Sequence, residues 1–341
     1  MKNSLDEIKH TLKNWPSLVK KYQKADLRLA TIQILTSLVP FLGLIVLSYI
    51  LYDYSPIYSI IIGIINSLFL IRVFIIQHDC GHQSFFKSKK LNNFWGRVCS
   101  IMSIMPYQNW SFSHNYHHNH NGDLDFREMG DMELFTVEEY KKLSSMGKAL
   151  YRFFRSRISI LLFSPIFYLF IINRIGYFKF NNFRKRLPGL ISYNLIIILM
   201  FGVLIYFFGV PKVLLVHLSI LISFAILAFF VFFVQHQHTY SYKEFHKNWD
   251  YLLSAIKGST FFKLPRILQW FTGNIGFHHI HHLSPKIPNY FLEKCNKENP
   301  VFEKFVTKIN LKNSFKLLSN YLWDEKNKKM ITFREYKEKY S

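Results

Sequence analysis

Four long apolar blocks, at residues 29–51, 56–76, 190–208 and 213–234, interrupt a chain otherwise rich in basic residues. At about 1.5 Å of rise per residue, each block as a helix is long enough to cross a hydrocarbon core of about 30 Å. The blocks come in pairs. Tyr52, Asp53, Tyr54 and Ser55 link the first two, and Gly209, Val210, Pro211 and Lys212 link the last two. Links this short make helical hairpins. Pro56 and Pro211 sit near helix starts, where a missing N–H costs nothing. Pro188 and Gly189 predict a break just before the second pair. The pattern predicts an all-α integral membrane protein. Four transmembrane helices form two hairpins, and the remaining segments, 1–28, 77–189 and 235–341, form a cap within one domain spanning 1–341.

Charge sets the orientation. The formal net charge is +22, and the lysines and arginines concentrate in those three segments. The positive-inside rule places both termini and the middle loop on the cytoplasmic side, with the two short links opposite. In a soluble protein this charge would point to nucleic acid or an acidic partner. Beside membrane spans it suits anionic headgroups instead, and no nucleic-acid partner is expected. Residues 158–172 are apolar but short, with basic residues on both flanks. A crossing would strand one flank outside, so this stretch reads as an interfacial or re-entrant helix. Residues 101–106 read as a shorter dip into the interface. Residues 1–25 are polar, without the apolar core of a signal peptide, and read as a surface helix. The three cysteines, Cys80, Cys99 and Cys295, form no CxxC and read as free thiols on a reducing face.

Three histidine clusters fall in this cytoplasmic cap. His78 and His82 are spaced i, i+4. His114, His117 and His118 are spaced i, i+3, i+4, and His278, His281 and His282 repeat that spacing. On a helix, each set shares a face. His279 is out of phase and reads as a supporting or surface contact. Neutral imidazole ligates iron, copper, zinc and nickel. Eight imidazoles are too many for one ordinary site and suit two ions. Thiolates are lacking, since Cys80 is out of phase with its flanking histidines, and a structural zinc site would be four-coordinate and closed. Open positions on nitrogen-ligated iron suit dioxygen. Two irons are therefore expected rather than two zincs or copper, and with them an oxygen-activating enzyme. Asp79, Asp123 and Asp125 are placed to accept ring N–H groups and fix the tautomer, their plain alternative being caps or turns. His217 stands alone inside the last block. It is either functional or a helix-to-helix hydrogen bond. His10 and His246 fall in no cluster and receive no role.

The chain resembles the membrane-bound fatty acid desaturases, most closely the acyl-lipid omega-6 (delta-12) type of bacteria and plastids. Residues 78–82, the stretch from Trp110 through the second cluster to Asp125, and residues 273–282 carry the resemblance. Gly130 with Asp131, residues 136–140, and Pro288, Asn289 and Tyr290 add to it. It extends from about the first span to residue 300. It implies a ninth ligand at the end of the last span. His236 fits that place best within Gln235, His236, Gln237 and His238, which leaves His238 and also Asn274 as supporting candidates. It implies a bacterial cytoplasmic membrane location. Two Fe2+ ions with O2 as co-substrate would remove two hydrogens from adjacent methylenes, leaving a cis double bond in a membrane-lipid acyl chain or acyl thioester. A bent, dry tunnel would lead the chain between the metals. No haem-binding His-Pro-Gly-Gly segment or cysteine cluster is present. Electrons would come from ferredoxin or cytochrome b5 with a reductase, drawn to the basic face. A fatty acyl or carotenoid hydroxylase or ketolase would share the same core. A metal-binding or transport protein would place its ligands near the bilayer midplane instead.

Overall fold

The structure is a computed structural model that describes residues 2–130, 132–176 and 183–340; Asp131, noted above beside Gly130, lies outside them. Among the described residues, four helices are long and apolar enough to cross a membrane: Leu27–Tyr54, Pro56–Gly81, Phe183–Phe208 and Val210–His236. Each outruns its apolar block. At about 1.5 Å per residue, 26 residues extend about 39 Å, beyond a core of about 30 Å. The last turns of the second and fourth helices therefore project into the cap, and they carry His78 and His236.

The links shrink to one residue each. Ser55 is extended, and its hydroxyl accepts from the Ile57 amide; Gly209 has φ +78°, a conformation that glycine adopts without cost. Lys212 Nζ lies 2.6 Å from Asp53 Oδ2, so both hairpin turns occupy one end of the molecule. The break expected at Pro188 does not occur, because the third helix runs through it. Pro188 stands in the second turn, where its missing N–H forfeits one ladder bond, to Arg184.

The second helix is the axis of the bundle. It packs against the first and fourth helices, and 56% of its most apolar window is buried, against 11% for the third. Ser145–Phe154 and the helical run Ser159–Ile175 meet at a 60° bend, with π-helical turns at Ser159–Phe163 and Tyr168–Ile172. This bent pair packs on the fourth helix and turns Ile158, Leu162, Phe163 and Phe167 outward. Of residues 101–106, expected as a short dip into the interface, the last four are buried within the protein. Ile104 and Met105 are buried, and Gln77 Nε2 donates to the Met105 carbonyl at 3.0 Å. Ile104 has φ +48° and ends the helix Lys89–Ser103, which turns the chain back onto the second helix.

Two short strand pairs complete the cap. Thr260–Lys263 runs parallel to Thr307–Asn310, and Leu322–Asp324 runs antiparallel to Lys329–Ile331. They tie the C-terminal segments together but are too short to leave a period in the sequence.

All three cysteines are free and buried. Burial pushes the thiols of Cys99 and Cys295 up to about 12. At pH 8 a thiol with that value is about one part in ten thousand thiolate, the reactive form. Native protein is expected to resist iodoacetamide at pH 8 and to take up three labels after denaturation. Rapid labelling of Cys99 in the folded protein would contradict this burial.

Candidate metal centre

The first histidine pair rides the overrun of the second helix. His78 lies in its last turn, and His82, just past its end, donates its amide to the His78 carbonyl at 3.2 Å. The second cluster lies on the helix Tyr107–His120. Tyr107 anchors that helix by donating its hydroxyl to the Cys80 carbonyl at 2.8 Å, and Trp110 stacks on the His114 ring at 4.5 Å. The third cluster occupies a six-residue helix, His278–Leu283, buried along its whole length. A tight turn enters it, with Gly273 at φ +53° and Asn274 at φ +60°. The Phe262 amide then donates to the Gly276 carbonyl at 2.8 Å. A Cβ at residue 276 would lie 2.4 Å from the Phe262 carbonyl oxygen, so this approach requires glycine. Arg72, buried in the second helix, donates to the Trp270 carbonyl and stacks on its ring at 3.9 Å, which pins the segment leading to this turn.

These segments bring the rings into two groups. His78, His82, His114, His118 and His281 place one nitrogen each within 4.8 Å of one another, and so do His117, His236 and His282. His278 joins the second group, with Nε2 2.8 Å from His236 Nε2 and 3.2 Å from His282 Nε2. In the first group, His118 Nε2 lies 3.1 Å from His114 Nε2 and 3.0 Å from His281 Nε2. The groups abut where the rings of His118 and His282 stack at 4.1 Å.

This donor set fits two metal ions. Two imidazole nitrogens about 2.1 Å from one ion and at right angles lie about 3 Å apart, which is the spacing found here. His82 Nε2 is buried without a hydrogen-bond partner. Burial first, and the neighbouring imidazoles second, hold His114, His118, His278, His281 and His282 well below the usual imidazole range; burial also dominates at His82. Neutral rings with free lone pairs are the ligating form.

The supporting residues separate clearly. Asp79 Oδ1 holds His78 Nδ1 at 2.8 Å, and its Oδ2 accepts from the Asn289 amide at 2.6 Å and from Asn289 Nδ2 at 2.8 Å. Asn274 donates to the Asn289 carbonyl at 3.4 Å, so it braces the partner of Asp79 rather than a ring. Asp123 and Asp125 meet no ring of either group among the described residues. Asp123 Oδ2 lies 2.6 Å from His246 Nδ1, and Asp125 Oδ2 accepts the His246 amide at 2.9 Å. The helix ends at His120, and Gly122, at φ +73°, turns the chain away from the rings. His246, unassigned from sequence, is what the two carboxylates grip. His238 is fully buried but outside both groups, because the fourth helix stops at His236 and the chain turns at Gln237. Its imidazole is pushed down to about 3, chiefly by burial. His279 is also fully buried, not a surface residue. His217 Nε2 lies 3.1 Å from the Tyr49 hydroxyl, a bond between the fourth and first helices.

Two orienting groups escaped sequence reading. Asn115 Oδ1 holds His82 Nδ1 at 2.8 Å, and the Gly258 carbonyl lies 3.3 Å from His236 Nδ1. Asn115 follows His114 directly, so helical phase turns it off the ligand face, and only the neighbouring first cluster gives it a partner. Asn289 did leave a signal, in the Pro288, Asn289 and Tyr290 run.

A cavity of about 710 Å³ opens onto His78, His114 and His278. Phe74 of the second helix, Phe232 of the fourth and Tyr168 of the bent pair help to wall it. Its size and apolar lining fit a small-molecule or acyl ligand. Because Asp79 ties the His78 ring to the segment after the third cluster, Asp79→Ala is expected to weaken metal binding about 10- to 100-fold, measured by equilibrium metal titration. Unchanged affinity would remove Asp79 from the site.

The sequence profile of the fatty acid desaturase family matches residues 55–310. The chain is 38% identical over 330 residues to a fatty acid desaturase of Bacillus subtilis (strain 168), covering 97% of this chain and 93% of that protein. It is 28% identical over 251 residues to an endoplasmic reticulum omega-3 fatty acid desaturase of Vigna radiata var. radiata, covering 66% and 60%. It is 28% identical over 227 residues to an sn-1 oleoyl-lipid 12-desaturase of Picosynechococcus sp., covering 65% and 63%. The match over nearly the whole chain, and over all three clusters, makes this protein a member of the fatty acid desaturase family, an oxidoreductase of the membrane.

Proposed function

We propose that the protein uses O2 to introduce a cis double bond into the acyl chain of a membrane lipid, with two irons held by the nine histidines of the two groups. One observation carries this reading: the apolar cavity reaches imidazoles of both groups, His78 and His114 of the first and His278 of the second. A chain lying there has methylenes beside both metal positions. The cap faces the cytoplasm of a bacterial cell, consistent with the basic segments around it. Electrons arrive from a separate ferredoxin or cytochrome b5.

Iron bound in this site would supply dioxygen activation and hydrogen abstraction. The remaining contributions come from the chain itself. Phe74, Trp110 and Phe232 exclude water and align the acyl chain against the rings. Asp79 fixes the proton of His78 on Nδ1 and so leaves Nε2 as the ligand atom. Asn115 does the same for His82 through its side-chain oxygen. The Gly258 carbonyl does so for His236.

Purified protein is expected to carry two irons per chain, and expression in a host lacking polyunsaturated lipids is expected to yield acyl chains two mass units lighter. A gain of one oxygen would mark a hydroxylase, and an active zinc-only preparation would contradict the iron assignment. His117→Ala and His281→Ala each remove one ligand without touching the bilayer-facing surface. Both are expected to abolish unsaturation while the spans stay inserted, as read by gas chromatography and protease protection.

A further inference from the structure

The fourth helix ends at His236, with Gln237 as its C-cap. The end of a long helix leaves its last carbonyls without intrahelical partners and concentrates about half a negative charge there. Arg155 stands at this end, 1% exposed, in the bend between Ser145–Phe154 and Ser159–Ile175. Its guanidinium lies 5.4 Å from the Phe233 ring centre. Among the described residues its hydrogen-bond acceptors are neutral: the Asn320 carbonyl at 2.7 Å, the Glu133 carbonyl at 3.5 Å and Gln237 Oε1 at 3.5 Å. A buried guanidinium hydrogen-bonded only to neutral acceptors is costly unless other partial charges compensate it. Gln237 Oε1, on the C-cap residue, is one such dipole and ties the guanidinium to the end of the fourth helix.

Asn320 closes the arrangement. Its main-chain carbonyl accepts from Arg155, while its side-chain amide donates to the Gln237 carbonyl at 2.6 Å, one of the orphan acceptors of the helix end. It is buried, and it lies beyond residue 310, where the family match stops. The next residue extends the clasp, since Tyr151 donates its hydroxyl to the Tyr321 carbonyl at 2.6 Å. The C-terminal segment therefore grips the cavity wall and the end of the fourth helix together.

We propose that Arg155 and Asn320 are positioning residues: Asn320 caps the helix end that carries His236, Arg155 holds Asn320 and the Gln237 side chain in place, and together they keep the second group of imidazoles in register for its metal. The inference rests on the two-iron reading above, but it concerns only the second position. The first group takes no ring from the fourth helix, so it is expected to fill independently of that helix end.

The test is anaerobic titration of the full-length protein in lipid nanodiscs with Fe(II), read by metal analysis and Mössbauer spectroscopy. Arg155→Met keeps the length of the side chain and removes its charge and donors. It is expected to retain the first iron at wild-type affinity and to bind the second about 10- to 100-fold more weakly, with the two iron signals becoming unequal. Asn320→Ala is expected to weaken the second iron in the same way, and Arg155→Lys, which keeps the charge, to restore much of it. Two irons at wild-type affinity in both Arg155→Met and Asn320→Ala would overturn the inference. So would equal weakening of both irons, which would assign the pair to general folding. Should Arg155→Met fail to insert, Asn320→Ala alone decides by the same criteria. A wild-type protein that binds fewer than two irons would overturn the proposed function instead, before either variant is compared.

Discussion

Neutral imidazole lone pairs repel one another when they converge, and this chain brings nine rings together in a region almost closed to water. Nε2 atoms of different rings lie 2.8–3.2 Å apart. Protonation would relieve some contacts, but burial and the neighbouring rings oppose the charged form. A metal ion in each group would resolve the conflict by accepting the lone pairs that converge there. Without it, the scaffold must hold the rings against their mutual repulsion.

The scaffold does so from outside the cluster. Asp79, buried in the second helix, holds a ring with one oxygen and the segment after the third cluster with the other. Arg72 pins the segment before that cluster to the same helix. The second helix thus reaches both ends of the third-cluster region and carries the first cluster itself. Membrane geometry places it there: a helix longer than the bilayer is thick must project, and its projecting turn is the natural platform for ligands.

The cavity follows from the same layout. Side chains of the second and fourth helices line it, and the bent pair walls it with π-helical turns, an irregularity frequent at functional sites. Acyl-chain chemistry needs such a dry space within reach of both ligand groups. The C-terminal clasp on Arg155 and Tyr151 links that wall to the end of the fourth helix, so cavity shape and ligand placement share residues.

Hydropathy, helical phase and charge are local properties, and they were sufficient for the four spanning helices and the histidine spacings. The projecting helix ends carrying His78 and His236 follow from length alone. Tertiary structure decided what each polar side chain meets. Asp79, Asp123 and Asp125 look alike in sequence, but only Asp79 faces a ligand ring, because Gly122 turns the other two toward His246. His238 lies two residues from His236, but the helix ends between them and the chain turns away. Asn115, Arg155 and Asn320 gained their partners from segments 33, 82 and 83 residues away, a separation that no local pattern records.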